Sequence, residues 1–570
     1  MLDRQRMLPY VLSGALLVTS VCFANERKAA DPERPIRTDL REAVALGVSG
    51  LTNSFDRDNN DEPYWDAYHR KDGTGQLRHD FDHVGKVTVP HAVGRCLWAT
   101  MLAEETVGVP FPPEALEILT RYCRTCYDNK DHLNSYLDPR RGNERNLEFH
   151  SMREGLFGLV ALMRGRNSQW ARETADGMLL TIEKITSPEG HFSVELIARN
   201  MEIVPTYESI LDLRTNGRLV DATTNGRLVD PLLEYYKFTK NPLALKLAGM
   251  YARATLESSY TPEGKFGPRK ASGGHIHSIT SSLAGITSYA AFTNNHEMLE
   301  KCRRIVDKGV PEYFSSWGWG DEFMPDDPYN VQSRGEVNQT GDVIRTALLL
   351  GQYVSAKYYE LAERYTRSML LPAQLREENL KEFLRENIHP RGDFERDVLK
   401  RTIGTYGFPL PNDRLREGDW AISTLDITSG AVHALCEVWR HRVTSDQQSI
   451  KVNLPFDYEG SDLKVVSQLP KEGRLEFSAL TSKNLLVRIP GWVDRKTLKL
   501  SVKGRPQLFS WSNGYMKVTD VHPGWKATLT FAVPHKQETE IVDGIKYQTK
   551  WVGNQIIEIL PRGRVSPLPF

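Results

Sequence analysis

A chain of 570 residues with 40% hydrophobic side chains exceeds the usual size of one core, so two domains or one large repeat-built domain are expected. Its 73 Lys+Arg balance 73 Asp+Glu, which removes any general electrostatic pull toward nucleic acid or an anionic membrane. Six scattered cysteines in a chain this long are not a disulfide framework.

The first 24 residues read as a secretory signal. Arg4 and Arg6 give a basic start, Met7 to Val21 an apolar core, and Cys22-Phe23-Ala24 a small-x-small cleavage site. The apolar core is too short for a membrane span, and Asn25, Glu26 and Arg27 follow it at once. The mature chain is therefore expected in the periplasm or outside the cell, with no membrane span after signal removal. Residues 25–84 form an N-terminal extension and loop region.

From about 85 to 445 helical periodicity recurs. HAVGRCLWATMLAEETVG (91–108), SMREGLFGLVALMRG (151–165), HSITSSLAGITSYAAFT (277–293) and GDVIRTALLLGQYVSAKYYELAERYTRSML (341–370) carry apolar residues at three and four spacing. Short turns such as Thr239-Lys240-Asn241-Pro242 separate partners, so the pattern is an array of helical hairpins. A closed (α/α)6 toroid of such hairpins gathers the long polar loops at one end. Cys123 and Cys126, in ALEILTRYCRTCYDN, read as helix positions rather than half of a zinc site. NGRLVD occurs at 216–221 and again at 225–230, and the second copy leads into a helix with Asp230 as N-cap before Pro231.

After about 446 the period changes to that of strands. SIKVNLPFDY, LKVVSQL, RLEFSAL, NLLVRIPGW, LKLSVKG, YMKVTDV, KATLTFAV and QIIEIL are broken by Gly, Pro, Asp and Asn turns. Residues 446–570 are expected to form an antiparallel β-sandwich.

Four stretches place acids beside other polar groups at helix starts, where a toroid forms its cleft. GEVNQTGD holds Glu336, Asn338 and Asp342, and GDWAISTLDITSG holds Asp426; both aspartates are equally placed to cap helices. EFHSMREG places His150, Arg153 and Glu154 on one helix face, as sugar contacts or as an internal ion pair. RHDFDHVGK holds Asp82 and His83 beside His79 and Asp80, and GGHIHS holds His275 and His277. For these, hydrogen-bonded loop histidines and sugar contact are favoured over a metal, so no cofactor is expected. Trp317 and Trp319 in SSWGWGDEF, like Tyr64, Trp65 and Tyr68 in EPYWDAYH, suit stacking on a sugar ring or packing in the toroid rim.

LLVRIPGWVDRKTLKLSVKG, followed by NGYMKVTDVHPGWKATLTFAVP, resembles the C-terminal module of glycoside hydrolase family 127, the β-L-arabinofuranosidase-like proteins. VIRTALLLGQYVSAKYYELAERYTRSML and DITSGAVHALCEVWRH are similar to the family's segments after its Glu-x-Cys motif and its paired cysteines; the likeness spans residues 140 to 560. The resemblance implies a zinc held by one glutamate and three cysteines, one thiolate attacking the anomeric carbon. Here Glu336 keeps the glutamate position, Asn338 replaces a thiolate, and the paired cysteines fall near Asp426 and Ile427. Thiolate chemistry is therefore not expected, and a carboxylate pair drawn from Glu336, Asp426 and Asp342 takes its place.

The resulting expectation is an exported glycoside hydrolase that cuts a terminal sugar from a poly- or oligosaccharide. Two alternatives stand beside it. One is a polysaccharide lyase, for which His150 or Tyr207 would be the base and Arg153 with the NGRLVD arginines Arg218 and Arg227 would neutralise a uronate. The other is a glycan-binding protein without catalysis. Sugar, linkage and oligomeric state are left open.

Overall fold

The computed structural model describes residues 39–69, 75–78, 88–138, 144–147, 149–202, 204–205, 218–219, 224–378, 400–416 and 420–568. The signal at 1–24, His79, Asp80, Asp82, His83, Tyr207 and Asp419 lie outside the described residues, as do the side chains of Tyr68, Arg218 and Trp420.

Among the described residues, twelve helices build the toroid. They are α1 (Leu40–Thr52), α2 (Thr88–Val107), α3 (Pro113–Thr125), α4 (Met152–Arg166), α5 (Gln169–Ile185) and α6 (Val229–Thr239) in the first half. The second half holds α7 (Pro242–Ser258), α8 (Ile276–Phe292), α9 (His296–Lys308), α10 (Val337–Tyr353), α11 (Tyr358–Tyr365) and α12 (Leu425–His441). The even-numbered helices touch in the cyclic order α2, α4, α6, α8, α10, α12 and back to α2. Each odd-numbered helix packs outside an even one, and α1 packs against α12 to complete the outer layer. This is the six-hairpin toroid expected from the sequence.

The inner and outer helices differ as their positions require. In α8 nearly every residue from Ile276 to Thr287 is buried, because an inner helix meets neighbours on all sides. The outer helix α9 buries only Met298, Leu299, Cys302, Ile305 and Val306, a single stripe. Close approach of α2 and α4 needs glycine: a Cβ on Gly94 would run into the backbone carbonyl of Glu154, and one on Gly158 into Gly94 itself.

Two helix starts differ from the sequence expectation. Asp230 does not cap α6, because a 3-10 turn over Asn225–Leu228 runs straight into the helix and leaves Asp230 inside it. Likewise α10 begins at Val337, with Glu336 at the N-cap, so Asp342 lies within the helix rather than at its start. The first turn of α10 is tied down by side chains, Gln339 Nε2 to the Gly320 carbonyl at 2.5 Å and Thr340 Oγ1 to that of Gly318 at 2.7 Å.

The sandwich follows α12. A five-stranded sheet and a six-stranded sheet enclose a separate apolar core that includes Ile450, Val465, Phe477, Leu485, Met516 and Leu529. Strict alternation of buried and half-buried residues, as in Arg474–Ala479, produces its two faces. One pair, Ser449–Val452 with Asn484–Arg488, is parallel in an otherwise antiparallel arrangement. A final three-stranded antiparallel sheet, His535–Val542, Ile545–Val552 and Gln555–Leu560, packs with the helices instead: Tyr547, Trp551, Ile556 and Ile559 belong to the toroid core. Between sandwich and toroid, Glu363 at the end of α11 binds Arg367 and Arg488, all three buried. Among the described residues, no helix is long and apolar enough to cross a membrane.

Candidate functional site

Because six inner helices present their N-terminal turns to one end of the ring, polar residues of those turns converge there. The deep part is an ionic layer. Arg95 of α2 reaches Asp426 of α12 at 2.5 Å, and His91, one helical turn earlier, lies 3.5 Å from the same oxygen. Burial opposes the charge on Asp426, but Arg95 and His91 together hold its carboxyl well below the usual range. Glu154 of α4 is fully buried and accepts from both Arg153, at 2.9 Å, and Arg227. Here too burial works against ionisation, and Arg227, His91, Arg153 and Arg95 win, lowering the carboxyl pKa. Arg345 of α10 pairs with Asp230 of α6.

Asp342 behaves differently. It accepts from His277 Nδ1 at 2.8 Å and from Thr280 Oγ1 at 3.2 Å. Burial dominates and pushes its carboxyl up to about 6 despite Arg153 and Arg345 nearby. Burial also lowers the pKa of His277 well below the imidazole value, with Arg95 next in importance. His150 lies against the Arg227 guanidinium, and burial followed by that cation keeps it neutral in the same way. Four imidazoles form a chain across the ring: His91 to His150 at 5.1 Å, His150 to His275 at 5.9 Å, and His275 to His277 at 5.8 Å between centroids. Trp65 covers one end, 5.1 Å from His91.

Above this layer, the loop from Phe314 to Glu336 adds the residue that sequence reasoning missed. Glu322 is held in place by its own backbone: its N–H donates to the Arg334 carbonyl at 2.7 Å, and its carbonyl accepts from Ile276 N–H at 2.9 Å. These bonds bring Glu322, Glu336 and His275 together, with one donor atom of each within 4.8 Å of the others. His275 Nε2 and Glu336 Oε2 lie 3.4 Å apart. Glu322 Oε2 is in an ion pair with Arg334 Nε at 2.5 Å, while His275 Nε2 and Glu336 Oε2 are buried atoms with no hydrogen-bond partner. Such atoms are costly unless something else satisfies them, which marks a place for a ligand. Burial raises the Glu322 pKa well above the carboxylate range; Arg334, at 2.5 Å, opposes this, while Glu336, Asp66 and Asp327 add to it. The signal of Glu322 in the sequence was an acid inside GDEF, immediately after the Gly-Trp pairs.

The structure thus brings Glu336, His275, His277, His150, Arg153, Glu154, Asn338, Asp342 and Asp426 to one end of the ring. It also separates them into two groups, since Asp426 and Glu154 are engaged by arginines while Glu336 faces Glu322. Trp317 and Trp319 are corrected. They are 0% and 1% exposed, and their indole N–H groups donate to the carbonyls of Pro411 and Pro409. Neither offers a ring face to a sugar; the loop turns both inward against the toroid and the final sheet, where Trp317 meets Tyr547. Tyr64, at 1% exposure, is likewise a packing residue.

The zinc site implied by the resemblance does not fit these residues. Asn338 donates to Asp426, and that carboxylate already holds Arg95, so a guanidinium stands among the donors where a cation would have to go. Cys96, Cys123, Cys126, Cys302 and Cys436 are buried and free. Burial pushes four of them, Cys96, Cys126, Cys302 and Cys436, up to about 12, far from thiolate formation at neutral pH. Two other groups of donors exist. His91, Glu154 and Asp426 lie among Arg95, Arg153 and Arg227, which repel a cation. His275, Glu322 and Glu336 form a nitrogen-and-oxygen set of the kind that holds a borderline divalent ion, in competition with Arg334, which pairs with Glu322.

No family model and no curated protein matches the chain. Solved structures do. The chain is similar to a GH127 β-L-arabinofuranosidase from Geobacillus stearothermophilus T6, with 13% identity, 81% of this chain and 76% of the other covered, and a TM-score of 0.53. It is also similar to the GH127 β-arabinofuranosidase BT3674, with 12% identity, 90% and 79% covered, and a TM-score of 0.58. A further structure described as a glycoside hydrolase gives 14% identity, 87% and 83% covered, and a TM-score of 0.53. The fold is that of these enzymes, reached by a widely diverged sequence.

Proposed function

We propose that this protein is a glycoside hydrolase that removes a terminal sugar by carboxylate chemistry, with Glu322 as proton donor and Glu336 as nucleophile. The observation that carries the reading is the convergence of Glu322, Glu336 and His275, with Glu336 Oε2 and His275 Nε2 buried and without a hydrogen-bond partner. The two carboxyl groups have unlike tasks, and Glu322, whose pKa burial and neighbouring acids raise, has the property of a general acid. Their closeness, within 4.8 Å, suits the roughly 5 Å separation of retaining enzymes rather than the roughly 6.5–9.5 Å that admits a water.

In the first step the Glu322 proton passes to the glycosidic oxygen, the C1–O bond breaks, and a Glu336 oxygen bonds to C1. The alcohol leaves. In the second step the Glu322 carboxylate takes a proton from water, whose oxygen bonds to C1 and expels Glu336. His275, beside Glu336, fixes which oxygen faces the sugar. The deep ionic layer supports the floor rather than reacting, because Asp426, Glu154 and Asp230 are each committed to an arginine. That commitment also weighs against the lyase alternative, since Arg153 and Arg227 are spent on Glu154 and cannot neutralise a uronate.

The similar solved structures make a β-L-arabinofuranoside the first substrate to test. Residues 1–24, read as a signal, put the reaction in the periplasm or outside the cell. The experiment follows hydrolysis of a panel of 4-nitrophenyl glycosides, starting with the β-L-arabinofuranoside, and reads the product anomer by proton NMR. The expected result is net retention by the parent and no turnover by Glu336→Gln. Azide should restore glycosyl transfer to Glu336→Gly as the inverted glycosyl azide. Inversion, or an active Glu336→Gln, overturns the assignment.

A further inference from the structure

An aromatic path leads from the carboxylate cluster to the surface. Phe323, the residue after Glu322, stacks on His275 with centroids 4.9 Å apart and planes 29° from parallel. Tyr329 lies next, 6.1 Å from Phe323. At 62% exposure it is the most exposed aromatic side chain among the described residues. Surface aromatics this open are common on mobile chain, but Tyr329 is held. Its N–H donates to Asp327 Oδ1 at 2.9 Å, the Asn330 N–H to the Asp327 carbonyl at 3.0 Å, and the Asp327 N–H to the Met324 carbonyl at 2.9 Å.

The turn is anchored on both sides. Met324 N–H donates to the Gly274 carbonyl at 2.9 Å, and Ser333 N–H to Asp543 Oδ2 at 2.7 Å. Gly274, at φ +75°, must be glycine here, because a Cβ would strike the Asp327 carboxylate. One loop therefore fixes the proton donor Glu322 and presents Tyr329 beyond it.

We infer that Tyr329, backed by Phe323, is a binding site for the ring that leaves, the sugar or aryl group attached through the scissile oxygen. This rests on the hydrolase reading only for the direction in which the substrate lies. The proton donor must sit beside the leaving oxygen, so the face next to Glu322 on the exposed side belongs to the leaving group. A ring with an apolar face, a neutral pyranose or an aryl group, stacks on a phenol ring; a uronate does not suit the surroundings. Asp326 and Asp327 flank Tyr329, and the nearby guanidiniums are engaged, Arg269 toward Asp326 at 3.8 Å and Arg334 with Glu322.

The test measures equilibrium binding by calorimetry, in a Glu322→Gln background that does not turn over, of phenyl β-L-arabinofuranoside and methyl β-L-arabinofuranoside. The two probes differ only in the ring offered to Tyr329. The expected result is that Tyr329→Ala weakens the phenyl glycoside ~10-fold and leaves the methyl glycoside within twofold, while Tyr329→Phe keeps both. Equal weakening of both probes, no change in either, or binding of neither overturns the site. Turnover of the parent enzyme is scored separately: if both glycosides bind as expected but neither is cleaved, the hydrolase reading fails and the aromatic site stands.

Discussion

The Asn338 amide points at the Asp426 carboxylate, Nδ2 to Oδ2 3.4 Å, across the seam between α10 and α12. These are the positions at which the resemblance places thiolates. The side chains there are an amide and a carboxylate in contact, and Arg95 supplies the positive charge that the carboxylate needs.

Removing that carboxylate should therefore unfold before it inactivates. Asp426→Ala leaves Arg95 buried without its partner, which costs about 3–5 kcal/mol. Urea unfolding followed by circular dichroism measures it. A stable Asp426→Ala protein that has lost only turnover would return Asp426 to the reacting groups.

As the proposed proton donor, Glu322 should set the alkaline limb of the rate profile, because the proton to be donated is absent above its pKa. Asp66 helps to raise that pKa and Arg334 to lower it. Asp66→Asn should move the alkaline limb of kcat/KM toward acid, and Arg334→Gln should move it toward alkali. Shifts in the opposite directions would sink the assignment of Glu322 as acid.

Asp342 links stability to pH with a definite sign. Its folded pKa, about 6, lies above the ordinary 3.8, so the folded state binds its proton more tightly. The stabilisation is complete below about 4 and is lost as pH rises through about 6. Comparing the parent with Asp342→Asn cancels the neighbouring His277. The parent's advantage should fall by roughly 3 kcal/mol between those limits, read from thermal or denaturant unfolding.

Trp319→Ala should cost about 3–5 kcal/mol of stability, whereas Trp319→Phe should be milder and leave KM unchanged. A raised KM in a stable Trp319→Phe protein would show that the indole meets substrate after all. For the clamp between sandwich and toroid, Arg488→Ala leaves the buried Glu363 with Arg367 alone and should lower stability by about 1–3 kcal/mol, again by denaturant unfolding.

Much of the architecture was legible because periodicity reports burial. The inner helix at 277–293 and the alternating strand RLEFSA each show one dominant spacing. The hairpin HKQETEIV–IKYQTKWV was missed for the same reason: its first strand is exposed almost throughout, so no alternation appears. Site residues were legible where they opened helices, as Glu336 and Asp426 do. Glu322 was not, since it sits in a loop and gains its meaning only from Gly274–Ile276, 46 and more residues earlier. His91 and Arg95, four apart in HAVGRCLW, carried a usable signal: two polar groups on the face of an otherwise buried helix. Trp317 and Trp319 misled because a Gly-rich loop suggests exposure, whereas this one folds its indoles onto carbonyl groups.

The closure of the outer layer by α1 against α12 has a bearing on how the chain is made. Leu40–Thr52 emerges from the ribosome nearly four hundred residues before its partner Leu425–His441. Throughout that interval α1 can meet only α2 of its two inner neighbours, and Arg95 has no Asp426. The ring can be assembled hairpin by hairpin during synthesis, but it can be sealed only after residue 441 is free, so the last inner helix delivered decides when the nascent protein closes its polar end.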